Sequence, residues 1–349
     1  MKKNVKNKKV FVALSGGVDS SVSAALLKKE GYDVVGVFMK TWHPDFLPCT
    51  WKQERLDAMR VSAHLDIPFL TFDFEKEYKR DVADYMISEY KKGRTPNPDV
   101  MCNKAVKFGA FLDKALEMGA DYIATGHYVQ RIGNKMVAGI DKEKDQSYFL
   151  WTLTKDQLSK SLFPVGKYEK KYVRKLAEKF GLPTAEKKDS QGVCFLGELN
   201  MKDFLKHYIK SNKGDVVTEM GDIVGTHDGA TFYTLGQRHG FIVTKKGIDE
   251  KPYYVVGKDL KKNVLIVSHN LKKSDAGKKE FELEDVNWIS EIPETGKKYK
   301  ARIRYRGELK LCEIEDSNVV LDKSELTASV GQSLVIYDGD VCLGGGVIK

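Results

Sequence analysis

The chain has 349 residues, more than one average domain, and this length predicts two or three domains. Its hydrophobic fraction of 42% supplies ordinary cores, and an excess of lysine and arginine over acids, 58 to 49, favours polyanionic partners. The sequence has no apolar run near the ~20 residues that span a bilayer, so we expect no membrane partner.

The first part of the chain alternates strands and helices. The apolar run at 10–14 is typical of a parallel strand buried on both faces, and a helix is predicted over 21–30, closed by Gly31. Further strands are predicted at 34–39, 69–72 and 122–124, and further helices at 54–65, 78–91, 104–118 and 170–180. This alternation predicts an α/β doubly wound parallel sheet, which binds ligands beyond the carboxyl ends of its strands.

After about residue 211 the pattern changes to short strands separated by polar turns. They are predicted at 216–217, 231–233, 253–256, 264–267, 299–305, 309–314 and 333–337. Strands this short and frequent indicate β-rich modules, the last of them a small barrel. We therefore predict three domains, at 1–210, 211–278 and 279–349.

The positive charge is concentrated in the middle of the chain. Residues 201–279 hold 15 lysines and arginines against 9 acids, which accounts for +6 of the net +9. Such a stretch is equally typical of a solvated surface and of a nucleic-acid-binding module.

The cysteine pattern indicates the compartment. Cys49, Cys102, Cys194, Cys312 and Cys342 form no CxxC pair, and the basic start of the chain does not lead into a signal peptide. We expect a reducing, cytoplasmic location, where disulfides are usually transient or catalytic.

A glycine loop at 15–20 follows the first strand and opens the first helix. Backbone N–H groups and the helix dipole at such a position attract an anion, and Gly16 and Gly17 permit close approach and positive φ. The loop has neither the Gly-Lys-Ser/Thr ending of a Walker loop nor a GxGxxG pattern, which favours a pyrophosphate grip that splits ATP into AMP and pyrophosphate. Asp19 could hold Mg²⁺ or cap the helix. The alternative is an ordinary strand-to-helix turn.

Cys102 lies after a rigid loop, because the two prolines in 96–98 restrict the backbone. Asp99 precedes it by three residues, so one helical turn would put a general base beside the thiol. A thiolate would also need a cation, for which Lys104 and Arg94 are candidates. The alternative is a buried hydrophobic cysteine.

Cys194 follows Lys187 and Lys188, whose charges would lower a thiol pKa from about 8.5 if they were near it in space. A core strand at Val193–Phe195 is an equally good interpretation. Cys312 and Cys342 stand within β runs, where packing is the expected role.

Two further segments are candidates for ligand contacts. Gly126 and His127 end a strand at the ligand-binding edge, where the glycine would let a nucleobase lie against the backbone. A structural role for His127 is the alternative. The polar loop at 144–148 leads into aromatic residues and suits phosphate and base contacts.

Taken together, these motifs resemble those of the tRNA-specific 2-thiouridylases, the MnmA family of PP-loop ATPases with a Rossmann-like first domain. The likeness extends over nearly the whole chain. The matching segments are 15–22, 37–40, 93–99, 101–104, 124–128, 144–150, 162–166, 188–195, 234–238 and 342–346.

The resemblance implies a reaction and the residues that perform it. ATP, with Mg²⁺, would activate the C2 oxygen of the wobble uridine of tRNA as an adenylate. Cys194 would carry a persulfide, Cys102 would release its sulfur, and a transient disulfide would join the two. Asp99 would belong to the catalytic group, and a relay protein or a cysteine desulfurase would donate the sulfur.

The resemblance also implies the binding residues. Those expected to bind ATP are Ala13, Leu14, Ser15, Gly16, Gly17, Val18, Asp19, Ser20, Met39 and Gly126. Those expected to face the target base are Asn97, Pro98 and Asp99. Those expected to contact tRNA are His127, Lys144, Asp145, Gln146, Arg304, Tyr305 and Gln332.

Three other interpretations stay open at this point. Asp99, Cys102 and Cys194 could hold an iron–sulfur cluster in a tRNA-thiolating enzyme. A PP-loop ligase could act on a small molecule, although that leaves the basic β module without a role. A non-enzymatic RNA-binding scaffold could retain a vestigial loop.

Overall fold

The computed structural model describes residues 7–47, 51–189, 200–244, 251–269 and 277–349. Cys194, one of the two predicted catalytic cysteines, lies outside the described residues, as does Cys49.

The strands, in chain order, are β1 (Lys9–Ala13), β2 (Asp33–Lys40), β3 (Phe69–Asp73), β4 (Tyr122–Ala124), β5 (Val129–Ile132), β6 (Lys135–Ala138), β7 (Ser161–Leu162), β8 (Gly214–Thr218), β9 (Ile223–His227), β10 (Ile242–Val243), β11 (Tyr254–Asp259), β12 (Val264–Ser268), β13 (Lys278–Trp288), β14 (Tyr299–Arg302), β15 (Lys310–Glu315), β16 (Asn318–Glu325), β17 (Ser333–Asp338) and β18 (Val341–Ile348).

The α-helices are α1 (Val18–Glu30), α2 (Trp51–His64), α3 (Glu75–Tyr78), α4 (Tyr85–Lys91), α5 (Pro98–Met101), α6 (Phe111–Glu117), α7 (Lys155–Ser159), α8 (Lys170–Lys179) and α9 (Met201–Lys206). Wider π-helical turns at Lys79–Asp84 and Cys102–Ala110 join α3 to α4 and α5 to α6.

The first sheet is parallel and has the order β3-β2-β1-β4-β7. Val10 and Val12 of β1 are fully buried, as their apolar run predicts for a strand covered on both faces. The chain moves outward from β1 through β2 to β3 and then places β4 on the other side of β1. The order therefore reverses between β1 and β4, and ligands bind at such switch points.

Helix ends follow local signals. Gly31 ends α1 in the left-handed conformation, with φ of 94°, and its N–H reaches the carbonyls of Leu27 and Lys28. Asn97 caps α5, because its Oδ1 accepts hydrogen bonds from the backbone N–H groups of Asp99 and Val100. The long helix that carries Cys102 thus begins at residue 98, before the predicted start at 104.

The middle sheet has the order β10-β9-β8-β12-β11, in which β8 and β12 are parallel and the other pairs antiparallel. The strand predicted at 231–233 is wrong, because Ala230–Phe232 forms a 3₁₀ turn after Gly229. Phe232 and Tyr233 are buried there, so packing overrides their preference for strands.

The last domain is a closed antiparallel barrel of six strands in the order β13-β16-β15-β14-β17-β18, with β18 pairing back to β13. The β5–β6 hairpin extends this sheet, because β6 also pairs with β18. Tyr337 and Cys342 of the barrel share one buried cluster with Trp151. The first domain and the barrel therefore have a common core, while 1–210, 211–278 and 279–349 remain our proposed division.

Within the described parts of the chain, every helix is too short or too polar to cross a membrane.

Candidate active site

A cavity of about 710 Å³ opens where the carboxyl ends of β1 and β4 meet. Many of the predicted site residues lie in its wall: Ala13, Leu14, Ser15, Gly17, Val18, Asp19, Ser20, Met39, Asp99, Gly126, His127, Lys144, Gln146 and Tyr305. Among the described residues, the predicted ones that lie outside this wall are Gly16, Asn97, Pro98, Cys102, Asp145, Arg304 and Gln332.

The glycine loop presents the start of α1 to the cavity. Gly16 has φ of +73°, and a Cβ there would lie 2.5 Å from the carbonyl oxygen of Glu54, so only glycine fits. Gly17 is the N-cap with φ of −95°, so the expectation of positive φ is wrong for this glycine. The hydroxyls of Ser15 and Ser20 lie 3.3 Å apart beside the first helical N–H groups. This arrangement suits an oxygen-rich anion.

Gly126 is required by the protein backbone itself. A Cβ there would lie 2.8 Å from the nitrogen of Ser20 and 2.9 Å from the carbonyl carbon of Asp19. The missing side chain thus lets the loop after β4 approach the first turn of α1, in addition to lining the cavity.

Asp19 neither caps α1 nor stands free for a metal. Its two carboxylate oxygens lie 2.7 and 2.8 Å from Nζ of Lys170, and the hydroxyl of Tyr128 donates to Oδ1 at 2.7 Å. A magnesium site needs carboxylate oxygens that are not already held by an ammonium group. The described residues also contain no cluster of three or more metal-ligating side chains. The residues present do not fit a magnesium ion held by Asp19.

Asp189 is another carboxylate in the cavity wall. It pairs with Lys170 at 2.9 Å, Lys144 at 2.8 Å and Arg174 at 2.6 Å. Burial alone would raise its pKa, but the hydrogen bonds from Lys144 and Lys170 lower the pKa of Asp189 to about 2. It therefore remains ionised at physiological pH.

The helix that begins at Pro98 contributes a carboxylate to the cavity, whereas the thiol of its Cys102 is buried in the protein core. Asp99 lies in the wall, one helical turn before Cys102, which has no exposed surface. Of the two cations considered for the thiol, Lys104 is exposed, and Arg94 pairs with Glu89 and Glu284. The turns from Cys102 to Ala110 are π-helical, a feature often found at functional sites.

His127 is buried in the cavity wall with its Nδ1 2.8 Å from the hydroxyl of Thr125. Burial, aided by the charge of Lys107, lowers the pKa of His127 well below its usual value. The imidazole is therefore neutral at pH 7.

Two residues expected at tRNA are engaged within the protein. The carboxylate of Asp145 accepts from the Ser147 hydroxyl and from Arg302, and its side chain is only 1% exposed. Arg304 donates to the carbonyls of Leu235 and Thr327, which ties the middle domain to the barrel. Asp145 and Arg304 thus make hydrogen bonds within the protein, and their direct contact with RNA stays a prediction.

The remaining predicted contacts are placed differently. Gln332 is half-buried, and its Oε1 accepts from the backbone of Ser329. Gln146 lines the cavity while its Oε1 accepts from the backbone N–H of Tyr128 at 3.0 Å.

Sequence reasoning missed several residues of the wall. They are Glu54, Asn103, Lys107, Thr125, Tyr128, Phe149, Lys170, Lys188, Asp189 and Arg306. Six of them stood within motifs already noted: Asn103, Thr125, Tyr128, Phe149, Lys188 and Asp189. The rings of Phe149 and Tyr305 lie 4.5 Å apart, so an aromatic pair joins the first domain to the barrel at the cavity. The available signal was the four-residue spacing of Lys170 and Arg174 on α8, since it places both cations on one helix face.

Three family models match consecutive parts of the chain. The "tRNA methyl transferase HUP domain" matches residues 8–198, the "tRNA methyl transferase PRC-barrel domain" matches 202–269, and the "Aminomethyltransferase beta-barrel domain" matches 278–348. Among solved structures, a complex of a 4-thiouridine synthetase with RNA and bound ATP is 20% identical, with a TM-score of 0.35, and covers 57% of this chain and 50% of that one. A likeness this slight bears no weight for function.

Curated relatives match the chain over nearly its full length. The tRNA-specific 2-thiouridylase MnmA of Bacillus subtilis (strain 168) is 44% identical, covering 100% of this chain and 96% of that protein. The protein of the same name from Pasteurella multocida (strain Pm70) is 47% identical, covering 99% of this chain and 94% of that protein. With this identity over this length, the chain belongs to the family of the tRNA-specific 2-thiouridylases MnmA.

Proposed function

We propose that this protein replaces the C2 oxygen of the wobble uridine of tRNA by sulfur, converting ATP to AMP and pyrophosphate. The observation that supports this most directly is a single cavity. It joins the glycine loop to Asp99, on the helix that carries Cys102, and to Tyr305 of the barrel. The relatives named 2-thiouridylase support the choice of reaction.

The first step activates the base. The C2 carbonyl of uracil is amide-like, and its oxygen is a poor leaving group. Attack of O2 on the α-phosphate of ATP expels pyrophosphate and turns that oxygen into part of a good leaving group. The N3 proton must leave at the same time, and Asp99 is the carboxylate in the wall that we assign to accept it.

The glycine loop holds the phosphates in this proposal. The start of α1, with the hydroxyls of Ser15 and Ser20, offers hydrogen bonds and a partial positive charge to the triphosphate. Met39 and Gly126 line the same cavity at the ends of β2 and β4, where the nucleoside would lie.

The second step transfers sulfur. A persulfide on Cys194, loaded by a relay protein or a cysteine desulfurase, attacks C2 with its terminal sulfur, and AMP leaves. The thiolate of Cys102 then attacks the inner sulfur of Cys194, which breaks the S–S bond to the base and leaves a Cys102–Cys194 disulfide. A thiol reductant restores the two cysteines. Because Cys102 is fully buried, this step requires its helix to shift once tRNA is bound.

The RNA must present its base outside the stack, at a cost of roughly a few kcal/mol. The net charge of +9 and a wall built from two domains suit a protein that grips an RNA stem and receives one flipped base.

The decisive experiment removes each thiol. We expect Cys102→Ser and Cys194→Ala to lower 2-thiouridine formation by roughly 1,000-fold or more, because a serine or alanine cannot carry or release sulfur. Binding of tRNA should persist, as measured by filter binding. Nucleoside analysis of tRNA incubated with ATP and a persulfide donor measures the product.

The matched control is Cys312→Ala, which removes a buried barrel cysteine. It should retain thiolation. Normal thiolation in both active-site variants would rule out the mechanism.

A further inference from the structure

Lys170 joins two of the carboxylates in the cavity wall, those of Asp19 and Asp189. Its Nζ lies 2.7 Å from Oδ1 and 2.8 Å from Oδ2 of Asp19, and 2.9 Å from Oδ1 of Asp189. Its side chain is 12% exposed. In the described part of the chain, Lys170 is the cation that pairs with both carboxylates, whereas Lys144 and Arg174 pair with Asp189 alone.

The ammonium group has no capacity left for a phosphate. An ammonium has three N–H donors, and the three carboxylate oxygens around Lys170 account for all of them. A triphosphate could recruit this lysine only by displacing a carboxylate oxygen from an ammonium group whose side chain is mostly buried. Lys170 is therefore better placed to hold protein groups together than to bind ATP.

The two carboxylates belong to different functional parts. Asp19 lies in the first turn of α1, directly after the glycine loop. Asp189 precedes Cys194 by five residues in the chain. Lys170 is the first residue of α8, a helix whose Val173 and Ala177 pack in one buried cluster with Val22 of α1. The contact of Lys170 with Asp19, which we call the Lys170 bridge when Asp189 is included, therefore joins two helices that pack against each other.

We propose that Lys170 is a positioning residue for sulfur transfer, because its ammonium group fixes Asp189, which precedes Cys194 by five residues in the chain, beside the first turn of α1. This inference rests on the function proposed above. It assigns Lys170 no contact with substrate.

The consequence lies in the fate of the activated base. With sulfur in place, the adenylated uridine loses AMP to the persulfide. Without it, water attacks C2 instead, which returns uridine and AMP and wastes one ATP. A loosened Asp189 should therefore leave activation largely intact and lower the yield of thiouridine per AMP. A misplacement of about 1 Å is enough to slow a transfer step by roughly 100-fold.

The test is the ratio of AMP to 2-thiouridine formed by the full-length protein with tRNA, ATP and a persulfide donor. In Lys170→Met we expect this ratio to rise about tenfold or more, with the KM for ATP within about threefold of wild type. Lys170→Arg keeps the charge and should restore most of the coupling. The matched control is Lys171→Met, since Lys171 is exposed on the same helix and pairs only with Glu169 among the described residues.

A second measurement needs no substrate. Asp19→Asn and Asp189→Asn should have non-additive effects on the free energy of unfolding in urea, because one ammonium group joins them. In a Lys170→Met background the two effects should become additive.

The outcomes separate the two proposals. If the wild-type protein forms no 2-thiouridine, the proposed function is wrong, while the unfolding test of the Lys170 contacts remains valid. Additive effects of the two aspartate changes in the wild-type background would overturn the bridge. An equal fall of AMP and thiouridine in Lys170→Met would place Lys170 in the activation step and so overturn its positioning role.

Discussion

Gly126 sits where two backbones touch. The atoms that a Cβ would meet, at 2.8 and 2.9 Å, belong to the backbone of Ser20 and Asp19, which cannot rotate away. Gly126→Ala should therefore push back the first turn of α1, lower ATP affinity about tenfold and reduce stability by about 1–3 kcal/mol. Calorimetric titration with ATP and urea unfolding measure these effects.

Gly119 is the comparison for this change. It has φ of +82°, and a Cβ added there would have no atom within 4 Å, so Gly119→Ala adds backbone strain far from the cavity. That variant should lose about 1 kcal/mol of stability and keep its ATP affinity. Equal ATP affinities in Gly126→Ala and wild type would contradict the steric account.

His127 gives the protein a predictable response to acid. Burial lowers its pKa well below the usual 6.5, so below about pH 6.5 the unfolded chain binds a proton that the folded protein does not. Stability should therefore fall on acidification through this range. In His127→Gln, part of that fall should disappear when urea unfolding is compared at pH 7 and pH 5. Parallel curves for variant and wild type would show that His127 takes up protons freely in the fold.

The residues that directly follow the parallel strands could be assigned to the site from the sequence. Asp19, Gly126 and His127 lie in the cavity wall because parallel strands end at a common edge, and sequence alone indicates which residues come next. Their partners were not predictable. The pairing of Asp19 with Lys170 joins positions 151 apart, and no local pattern encodes a contact that depends on how α8 packs on α1.

Among the elements, the β5–β6 hairpin could be predicted from local sequence, whereas its pairing with the barrel could not. Its turn contains Gly133 and Asn134 between two strands, a recognisable hairpin signal that sequence reasoning overlooked. Its pairing with β18 could not be predicted, because the two strands are distant in sequence and come together only in the assembled core. The barrel itself was predicted from its short and frequent strands, a pattern that is visible locally in the sequence.

Asn287 of β13 fastens the barrel to the first domain. Its Nδ2 donates to the carbonyls of Trp151 at 2.8 Å and Leu153 at 3.0 Å. Asn287→Leu would leave both carbonyls without this donor and should cost about 1–3 kcal/mol in urea unfolding. Asn318→Leu, on the exposed start of β16, should change stability by less than about 0.5 kcal/mol. Similar losses in the two variants would mean that Asn287 contributes little at this junction.

At the scale of the molecule, charge sets how tRNA is approached. Residues 201–279 carry most of the positive excess, and Lys261 and Lys262 are exposed in the turn between β11 and β12. Reversing both charges with Lys261→Glu and Lys262→Glu should weaken tRNA binding about tenfold at low salt and flatten its salt dependence. Filter binding between 50 and 200 mM salt, as an order-of-magnitude range, measures both effects.

The comparison is the same reversal in the barrel, with Lys298→Glu and Lys300→Glu, which are also exposed. If the middle module faces the RNA, this second variant should bind tRNA more tightly than the first. Equal losses would assign the affinity to overall charge.

The pairing of β18 with β6 has a consequence during synthesis. Val341 pairs with Val137, so the hairpin meets its partner only after about 200 further residues have been translated. At about 5–20 residues per second, the ribosome needs roughly 10–40 s to deliver the closing strand. Throughout that interval the nascent polypeptide carries an open β edge, a site at which chaperones or unwanted neighbours can bind.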